Sequence, residues 1–309
     1  MCRKISLLGM NKDEWLKLRK TGIGGSEAGA VCGLNPYVSA MSVYKDKICE
    51  DSKNVDSEAM RQGRDFEEYV AKRFSEKTGL KVRRSNYMYR NDEYPFMIAD
   101  VDRFIVGEDA GLECKTASAF NADKWKNGEI PPHYIIQCYH YMAVTGKRTW
   151  YIAVVILGKD FKYSKIEWDD EVINNLISIE KKFWENNVME RNMPIPDGSE
   201  DCEEVLKECF RNADIGKSIQ LVGFDERLKR RDELIDLINK LEIEKSTIEQ
   251  EVKAYMKEAE SAYCNNYSIT WSNVTTNRLD TKRIKEEKPD IYKDFLKVTN
   301  SRRFTVKSA

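Results

Sequence analysis

The sequence predicts an α/β (α+β) fold, and three observations carry that prediction. Residues 56–78 place large apolar side chains every four positions, which is the spacing of one helix face. Residues 81–116 break into short segments rich in aromatic and branched side chains, typical of an antiparallel meander. Residues 149–157 are apolar almost throughout, as expected for a strand covered on both faces. We therefore expect helices packed against a sheet.

The elements before the meander are predicted from caps and turn residues. Residues 11–20 indicate a short amphipathic helix, and the glycine-rich turn 21–26 leads into a second helix over 26–32. Ser39 is expected to cap a helix over 39–48, because a serine side chain can accept from the first free amides of a helix. The helix over 56–78 is expected to end at Gly79.

The meander is expected to contain four strands, over residues 81–89, 95–102, 103–106 and 111–116. The segment Glu108-Asp-Ala-Gly111 supplies the turn before the last of them. A helix over 131–145 follows, since a proline suits a helix start and Gly146 suits its end.

The next part of the chain predicts an edge strand and a long helix. Residues 161–168 alternate apolar and polar side chains, which is typical of an edge strand. Residues 169–190 indicate an amphipathic helix. Its expected apolar face consists of Val172, Leu176, Ile179 and Phe183.

The domain boundary is predicted at residues 192–199, which hold two prolines and a glycine. We expect a first domain over residues 1–191, a linker with a short helix over 192–224, and a C-terminal part over 225–309. In the C-terminal part, apolar side chains at four-three spacing predict a long helix over about 225–262. These side chains are Leu234, Ile238, Leu241, Ile248, Val252 and Tyr255.

The end of the chain is expected to form a strand over 267–275 and then a small basic lobe. Residues 280–309 hold nine Lys or Arg against five Asp or Glu, a local net charge of +4. The long helix and this tail are candidates for self-assembly or phosphate binding, and packing within the chain is the competing expectation.

Net charge, cysteine content and histidine content limit the kinds of function that the sequence allows. The 309 residues carry a net charge of −1, so any contact with nucleic acid must come from local patches. The eight cysteines are scattered and form no CxxC pair, which indicates reduced thiols and a cytoplasmic protein. The apolar runs of the sequence are all too short to predict a membrane span. The two histidines leave little room for histidine-based chemistry, and His140 is expected to be a packed helix residue.

The most informative feature is an acidic hairpin. Asp102 ends an apolar run, a turn follows, and the next strand carries Glu113-Cys-Lys115. Strand side chains alternate between faces, so Glu113 and Lys115 are expected to point the same way and Cys114 the other. A solvated hairpin with a surface ion pair is the simpler interpretation of Glu-x-Lys alone.

Two carboxylates and an ammonium at one rim also suit phosphodiester hydrolysis. Mg²⁺ prefers oxygen ligands and keeps several waters, so Asp102, Glu113 and the backbone carbonyl of Cys114 are expected ligands. Lys115 would orient or help deprotonate the attacking water, or stabilise the phosphate charge. Its position beside a cation is expected to favour some loss of its proton.

Two helices supply further candidate residues. Glu67 lies on the helix over 56–78 and is a candidate third metal ligand, although a solvated helix charge is an equal alternative. Gln137 and Tyr141 share a helix face by their four-residue spacing. We expect Gln137 to contact phosphate or the metal-bound water, with an ordinary polar helix face as the alternative.

These motifs, in this order, resemble the YqaJ-like viral recombinase nucleases, a group that includes lambda exonuclease within the PD-(D/E)xK superfamily. The resemblance covers about residues 15–188. It rests on Trp15 with Arg19, Gly22-Ile-Gly-Gly-Ser26, Gly63 with Glu67, Asp102 with Glu113-Cys-Lys115, and the run from Pro131 through Gln137 to Gly146. One departure is Arg103, where many relatives place glycine after the catalytic aspartate; another is Val101, where some have a small polar residue.

The resemblance implies a restriction-endonuclease-like core, a mixed central β-sheet flanked by helices. It implies Mg²⁺-dependent DNA cleavage, with Mn²⁺ able to substitute, and 5′-to-3′ digestion of double-stranded DNA ends. Arg19 and Ser26 match positions that bind the 5′-terminal phosphate, and Gln137 and Tyr141 are expected to contact DNA. A ring-shaped homo-oligomer, a single-strand annealing protein as partner and a bacterial host cell of a phage or prophage are further implications.

Two other function classes remain open from sequence. One is a restriction-like or structure-specific DNA endonuclease with the same core. The other is a DNA-binding regulatory protein on a nuclease fold, which the intact set Asp102, Glu113 and Lys115 disfavours because a pure binder does not need it.

Overall fold

The computed structural model describes residues 2–49 and 57–307. The chain divides into two compact units, Met1–Phe210 and Arg211–Ala309. Each unit is described separately below. Among the described residues, no helix combines the length and apolar character that a membrane span requires.

The first unit contains a four-stranded sheet in the order β1-β4-β5-β2. Its strands are β1 (Cys2–Ser6), β4 (Tyr87–Asn91), β5 (Met97–Asp100) and β2 (Ile23–Gly24). The pairs β1/β4 and β4/β5 are antiparallel, whereas β2 runs parallel to β5. β1 was not predicted from the sequence.

A second, five-stranded sheet has the order β3-β6-β7-β8-β9. Its strands are β3 (Val82–Arg84), β6 (Arg103–Ile105), β7 (Ala110–Ala117), β8 (Thr149–Ile156) and β9 (Asp160–Glu167). Only β7 and β8 are parallel, so the sheet is mixed. The predicted edge strand is confirmed as β9.

The predicted single meander is wrong, because its strands belong to two sheets. The segment expected as one strand over 81–89 ends at Arg84 and resumes at Tyr87. Between them, the hydroxyl of Ser85 lies 3.1 Å from the Tyr89 hydroxyl and accepts from the Tyr87 amide at 3.4 Å. A short polar side chain that bonds nearby backbone offers an alternative to the strand ladder, and here the chain changes sheets.

The predicted turn at 108–111 also needs correction. Gly107 takes the left-handed conformation (φ 85°), and β7 has already begun at Ala110. Gly111 lies inside β7 opposite Trp150, and a Cβ there would approach the indole to 2.4 Å. Gly111 therefore leaves space for the Trp150 ring and is not part of the turn.

The helices of the first unit agree with most predictions. They are α1 (Lys12–Lys20), α2 (Gly25–Val31), α3 (Ala40–Ile48), α4 (Glu58–Thr78), α5 (Pro132–Thr145), α6 (Asp170–Lys182) and α7 (Glu200–Cys209). Ser39 accepts from the amide of Ser42, as expected of a cap. Gly79 and Gly146 end α4 and α5 in the left-handed conformation. The predicted start of α4, Asp56, lies outside the described residues.

Leu176 and Phe183 of the predicted α6 face are buried, but the other two buried positions are Ile173 and Glu180 and not Val172 and Ile179. Ile179 is 44% exposed, whereas Glu180 is completely buried beside Ile173, Leu176 and Phe183. An apolar pattern cannot predict a buried carboxylate, since that burial depends on a partner elsewhere in the chain. After Lys182 the chain continues as a π-helical segment, Phe183–Met189.

Helices cover both faces of β8, which confirms the prediction of a doubly buried strand. Ile152 and Val154 belong to the larger core cluster, which includes residues of α5. Ala153 and Val155 belong to a second cluster with Val70 and Phe74 of α4. Because successive side chains of a strand point to opposite faces, α5 and α4 lie on opposite sides of this sheet.

The second unit begins with the long helix α8 (Asp225–Met256). It continues with the antiparallel hairpin of β10 (Ser261–Cys264) and β11 (Tyr267–Thr270), then α9 (Thr281–Glu287) and α10 (Pro289–Asp294). The predicted end of the long helix near 262 is wrong, because Lys257 takes a positive φ of 50° and stops it.

Candidate active site

One cleft in the first unit is lined by every side chain that the sequence singled out. Its volume is about 1020 Å³. The nine residues are Arg19, Ser26, Glu67, Asp102, Glu113, Cys114, Lys115, Gln137 and Tyr141. Residues from α1, α2, α4, α5 and β7 thus come together although they span more than a hundred positions of the chain.

Asp102 lies in the connection between β5 and β6, at the point where the chain passes from one sheet to the other. Its Oδ2 accepts a hydrogen bond from the amide of Cys114 at 2.8 Å. This bond ties the aspartate to β7, where Glu113 and Lys115 share one face.

Glu113 is the centre of a polar network. Its Oε1 lies 2.6 Å from the Lys115 ammonium and accepts from the Gln137 amide at 2.7 Å. Its Oε2 is buried and lacks a hydrogen-bond partner among the described residues. A buried carboxylate oxygen without a donor is costly, so this atom fits a ligand.

The ionisation of the site follows from burial and charge. Burial raises the pKa of Asp102 well above its ordinary value, and the carboxylates of Glu113 and Glu67 raise it further. Burial acts to lower the pKa of Lys115, but the Glu113 carboxylate outweighs it and raises that pKa. The loss of a Lys115 proton expected beside a cation stays a prediction.

Glu67 and Arg103 form an ion pair at the rim of the cleft. The Arg103 side chain is 3% exposed, donates to Glu67 and Glu68, and also donates to the carbonyl of Asp102 at 2.8 Å. Arg103 therefore fixes the backbone of Asp102 and neutralises Glu67. A role for Glu67 as a third metal ligand stays a prediction.

The carboxylates fit a hard divalent cation as a pair. Across residues 2–49 and 57–307, no group of three or more His, Cys, Asp or Glu side chains is placed to hold a metal ion together. Asp102 and Glu113 nevertheless offer the carboxylate oxygens that Mg²⁺ prefers, and the free Oε2 of Glu113 is the atom that such an ion would satisfy.

Gln137 and Tyr141 occupy the α5 side of the cleft, on one helix face. The Gln137 amide donates to the Tyr141 hydroxyl at 2.9 Å as well as to Glu113. The Tyr141 ring packs on Gly25, where a Cβ would come within 2.4 Å of it. The backbone of α2 is thereby held against α5.

Arg19 and Ser26 are adjacent at the other end of the cleft. The Arg19 guanidinium donates to the Ser26 hydroxyl at 3.2 Å and lies 5.0 Å from the centre of the Trp15 ring. Ser26 lies in the first turn of α2, where free amides favour an anion.

Sequence reasoning missed three side chains near these residues. Asp100 lines the cleft and accepts from the Trp15 indole at 3.0 Å; its two-residue spacing from Asp102 was the available signal. Burial raises its pKa. Glu27 and Lys47 form a buried pair beside Arg19, for which the sequence carries no pattern.

Comparison with known proteins places the chain in a family. Residues 14–148 match the model of the YqaJ-like viral recombinase domain. The chain is 40% identical over 302 residues to the uncharacterized protein YqaJ of Bacillus subtilis (strain 168), covering 96% of this chain and 95% of that protein.

Solved structures share the fold. An alkaline exonuclease (LHK-Exo) from Laribacter hongkongensis is 18% identical with a TM-score of 0.51, over 65% of this chain and all of that one. The structure of LHK-Exo in complex with dAMP is 17% identical with a TM-score of 0.50, over the same shares. The predicted restriction-endonuclease-like core, a mixed sheet flanked by helices, is confirmed.

Proposed function

Because this chain belongs to the YqaJ-like viral recombinase family, we propose that it is a Mg²⁺-dependent DNA exonuclease that hydrolyses phosphodiester bonds from duplex ends, 5′ to 3′. One observation carries the proposal. Asp102, Glu113, Lys115 and Gln137 share one cleft with the Arg19 and Ser26 pocket.

Asp102, Glu113 and the Cys114 carbonyl would hold the ion, with Glu67 as an additional carboxylate. Mg²⁺, or Mn²⁺ in its place, supplies charge neutralisation at the phosphate and a more acidic water. Burial and, after it, the neighbouring carboxylates of Glu113 and Glu67 raise the pKa of Asp102, and a bound cation would offset both effects, which supports this assignment.

The remaining groups bind and orient the substrate. Lys115 reaches the Glu113 oxygen from β7, so its ammonium can hold an attacking water or a phosphate oxygen beside the same carboxylate. Gln137 has two amide protons, and both are directed to Glu113 and Tyr141. It orients Glu113 in this arrangement, and Tyr141 presents its hydroxyl to the DNA.

The Arg19 and Ser26 pocket would receive the phosphate of a 5′ end. A guanidinium and a hydroxyl at a helix N-terminus provide directional donors and a favourable dipole for an anion. We also propose that the protein acts in the cytoplasm of a bacterial host, as a ring-shaped homo-oligomer, with a single-strand annealing protein as partner.

The test is digestion of matched linear and covalently closed circular duplexes with Mg²⁺. The proposal expects loss of the linear DNA alone, and labels at each end report the polarity. Cutting of the circle would support a restriction-like or structure-specific endonuclease instead. Binding of DNA with no cutting of either would support a regulatory DNA-binding protein.

Site variants test the residues. Asp102→Asn, Glu113→Gln and Lys115→Met should each abolish cleavage while thermal melting shows a folded protein. Asp109→Asn is the matched control, since Asp109 lies in the same hairpin and pairs with Lys147 at the exposed surface. Near wild-type turnover in any of the three site variants would refute the assignment.

A further inference from the structure

A buried lysine lies beneath the Arg19 pocket. The Lys47 side chain is fully buried, and its ammonium donates to both carboxylate oxygens of Glu27 at 2.8 Å. The same ammonium donates to the backbone carbonyl of Arg19 at 3.0 Å. Glu27 in turn accepts from the Gly24 amide at 2.8 Å, at the start of α2.

Glu27 interacts with two cations, Lys47 and Arg19, at unequal distances. The Arg19 guanidinium lies 3.4 Å from one Glu27 oxygen, a longer contact than either bond from Lys47. Two cations thus share this carboxylate, and the next nearest carboxylate to Lys47, that of Asp46, lies 4.0 Å from its ammonium. Lys47 is enclosed, whereas the Arg19 side chain is 29% exposed and lines the cleft, so Arg19 is the cation of the two that faces the cleft.

We propose that Lys47 and Glu27 are positioning residues that hold Arg19 in place and keep its charge available for the terminal phosphate of a DNA end. Lys47 binds both oxygens of the carboxylate more closely than Arg19 does, and it anchors the last turn of α1 through the Arg19 carbonyl. The inference rests on the proposed exonuclease function and adds residues that never touch the DNA.

The ionisation of Glu27 is consistent with this arrangement. Burial acts to raise the pKa of Glu27, but Lys47, Arg19 and the Gly24 amide outweigh it and lower that pKa. Glu27 is therefore an anion at neutral pH. Without Lys47 the Glu27 carboxylate would pair more closely with Arg19, and less of the Arg19 charge would be available to an anion in the cleft.

The experiment measures kcat/KM on two duplexes that differ only in a 5′-phosphate or a 5′-hydroxyl. Lys47→Met should lower the ratio of the two values by about tenfold, the size expected when a hydrogen bond to a charged group is lost. The rate on hydroxyl ends is the reference, because those ends lack the phosphate that Arg19 would bind. The double variant Glu27→Gln with Lys47→Met should restore the ratio, because no carboxylate then competes for Arg19, while the glutamine still accepts from Gly24.

A control variant separates this role from a general loss of stability. Lys45→Met removes a lysine from the same helix that pairs with Glu208 and not with Glu27, so it should leave the ratio unchanged. If Lys47→Met alone does not fold, the double variant of Glu27 and Lys47 still tests the inference. We expect that variant to fold and to prefer phosphorylated over hydroxyl ends. A folded double variant that fails to discriminate would overturn the inference.

Other outcomes distinguish this inference from the proposed function. A wild-type protein that cuts no DNA defeats the proposed function itself. The preference for phosphorylated ends could instead fall in Arg19→Ala and stay unchanged in Lys47→Met. That result would support the pocket and contradict the role of Lys47.

Discussion

A buried ion pair joins α5, which lines the candidate active site, to α6. His140 Nδ1 lies 2.7 Å from Glu180 Oε1, and both side chains are completely buried. The other ring nitrogen lies 2.9 Å from the Ile98 carbonyl of β5. Because α5 also carries Gln137, replacing this pair tests what holds the site helix in position.

The expected costs follow from burial. His140→Leu or Glu180→Leu alone should destabilise the protein by about 3–5 kcal/mol, since each leaves an uncompensated buried group. The double variant removes both groups, so its main remaining cost is the unpaired Ile98 carbonyl, about 1–3 kcal/mol. The double variant should therefore be more stable than either single variant, with a coupling energy of at least about 3 kcal/mol.

Urea unfolding followed by tryptophan fluorescence measures these free energies for the wild type and the three variants. If the two single effects add up in the double variant, the pair does not act as a unit and the reasoning fails. Activity on linear DNA provides a second readout, because a displaced α5 would move Gln137 away from Glu113.

The same pair predicts a pH dependence of stability. Burial raises the pKa of Glu180 above 4.5. Burial acts to lower the pKa of His140, but the Glu180 carboxylate outweighs it and raises that pKa above 6.5. The raised pKa of His140 contributes stability that is complete below the unfolded value of 6.5 and is lost as the pH rises through the folded pKa, whereas the raised pKa of Glu180 reflects a burial cost that develops as the pH rises above 4.5. Unfolding free energies measured from pH 5 to 9 should decline less in the double variant, and equal slopes would contradict the assignment.

Three other changes test separate parts of the structure. Gly111→Ala should cost about 1–3 kcal/mol and lower activity, because the new methyl group meets Trp150; an unchanged melting temperature would count against that contact. Arg103→Gln should free Glu67 and lower the Mg²⁺ concentration needed for half-maximal cleavage, and a higher requirement would show that Arg103 supports the site. Residues 1–210 alone should melt cooperatively, as calorimetry can show, since both core clusters lie within them.

Local signals were sufficient to predict most of the helices and the shared face of Glu113 and Lys115. Caps at Ser39, Gly79 and Gly146 are where the sequence indicated, because caps depend on neighbouring residues alone. The alternation of Glu113 and Lys115 followed from strand geometry in the same way. In the cleft, Glu113 and Lys115 lie together with Arg19 and Gln137. The family resemblance predicted this grouping, and no local sequence pattern contains it.

Long-range pairing explains the errors. The change of sheet at Ser85 depends on which strands compete for each edge, and the four segments of the meander carry no mark of it. Glu180 and Lys47 are charged side chains whose burial is determined by partners far along the chain. Hydrophobic periodicity alone would predict that both Glu180 and Lys47 are exposed to solvent.

The contact between Gly25 and the Tyr141 ring fixes a distance. Because a ring rests directly on the backbone of α2, the helix that carries Ser26 cannot slide relative to the helix that carries Gln137 without losing that contact. The Arg19 and Ser26 pocket and the carboxylates of Asp102 and Glu113 then keep a constant separation. If this pocket holds a DNA end as proposed, hydrolysis at the carboxylates would release fragments of uniform length.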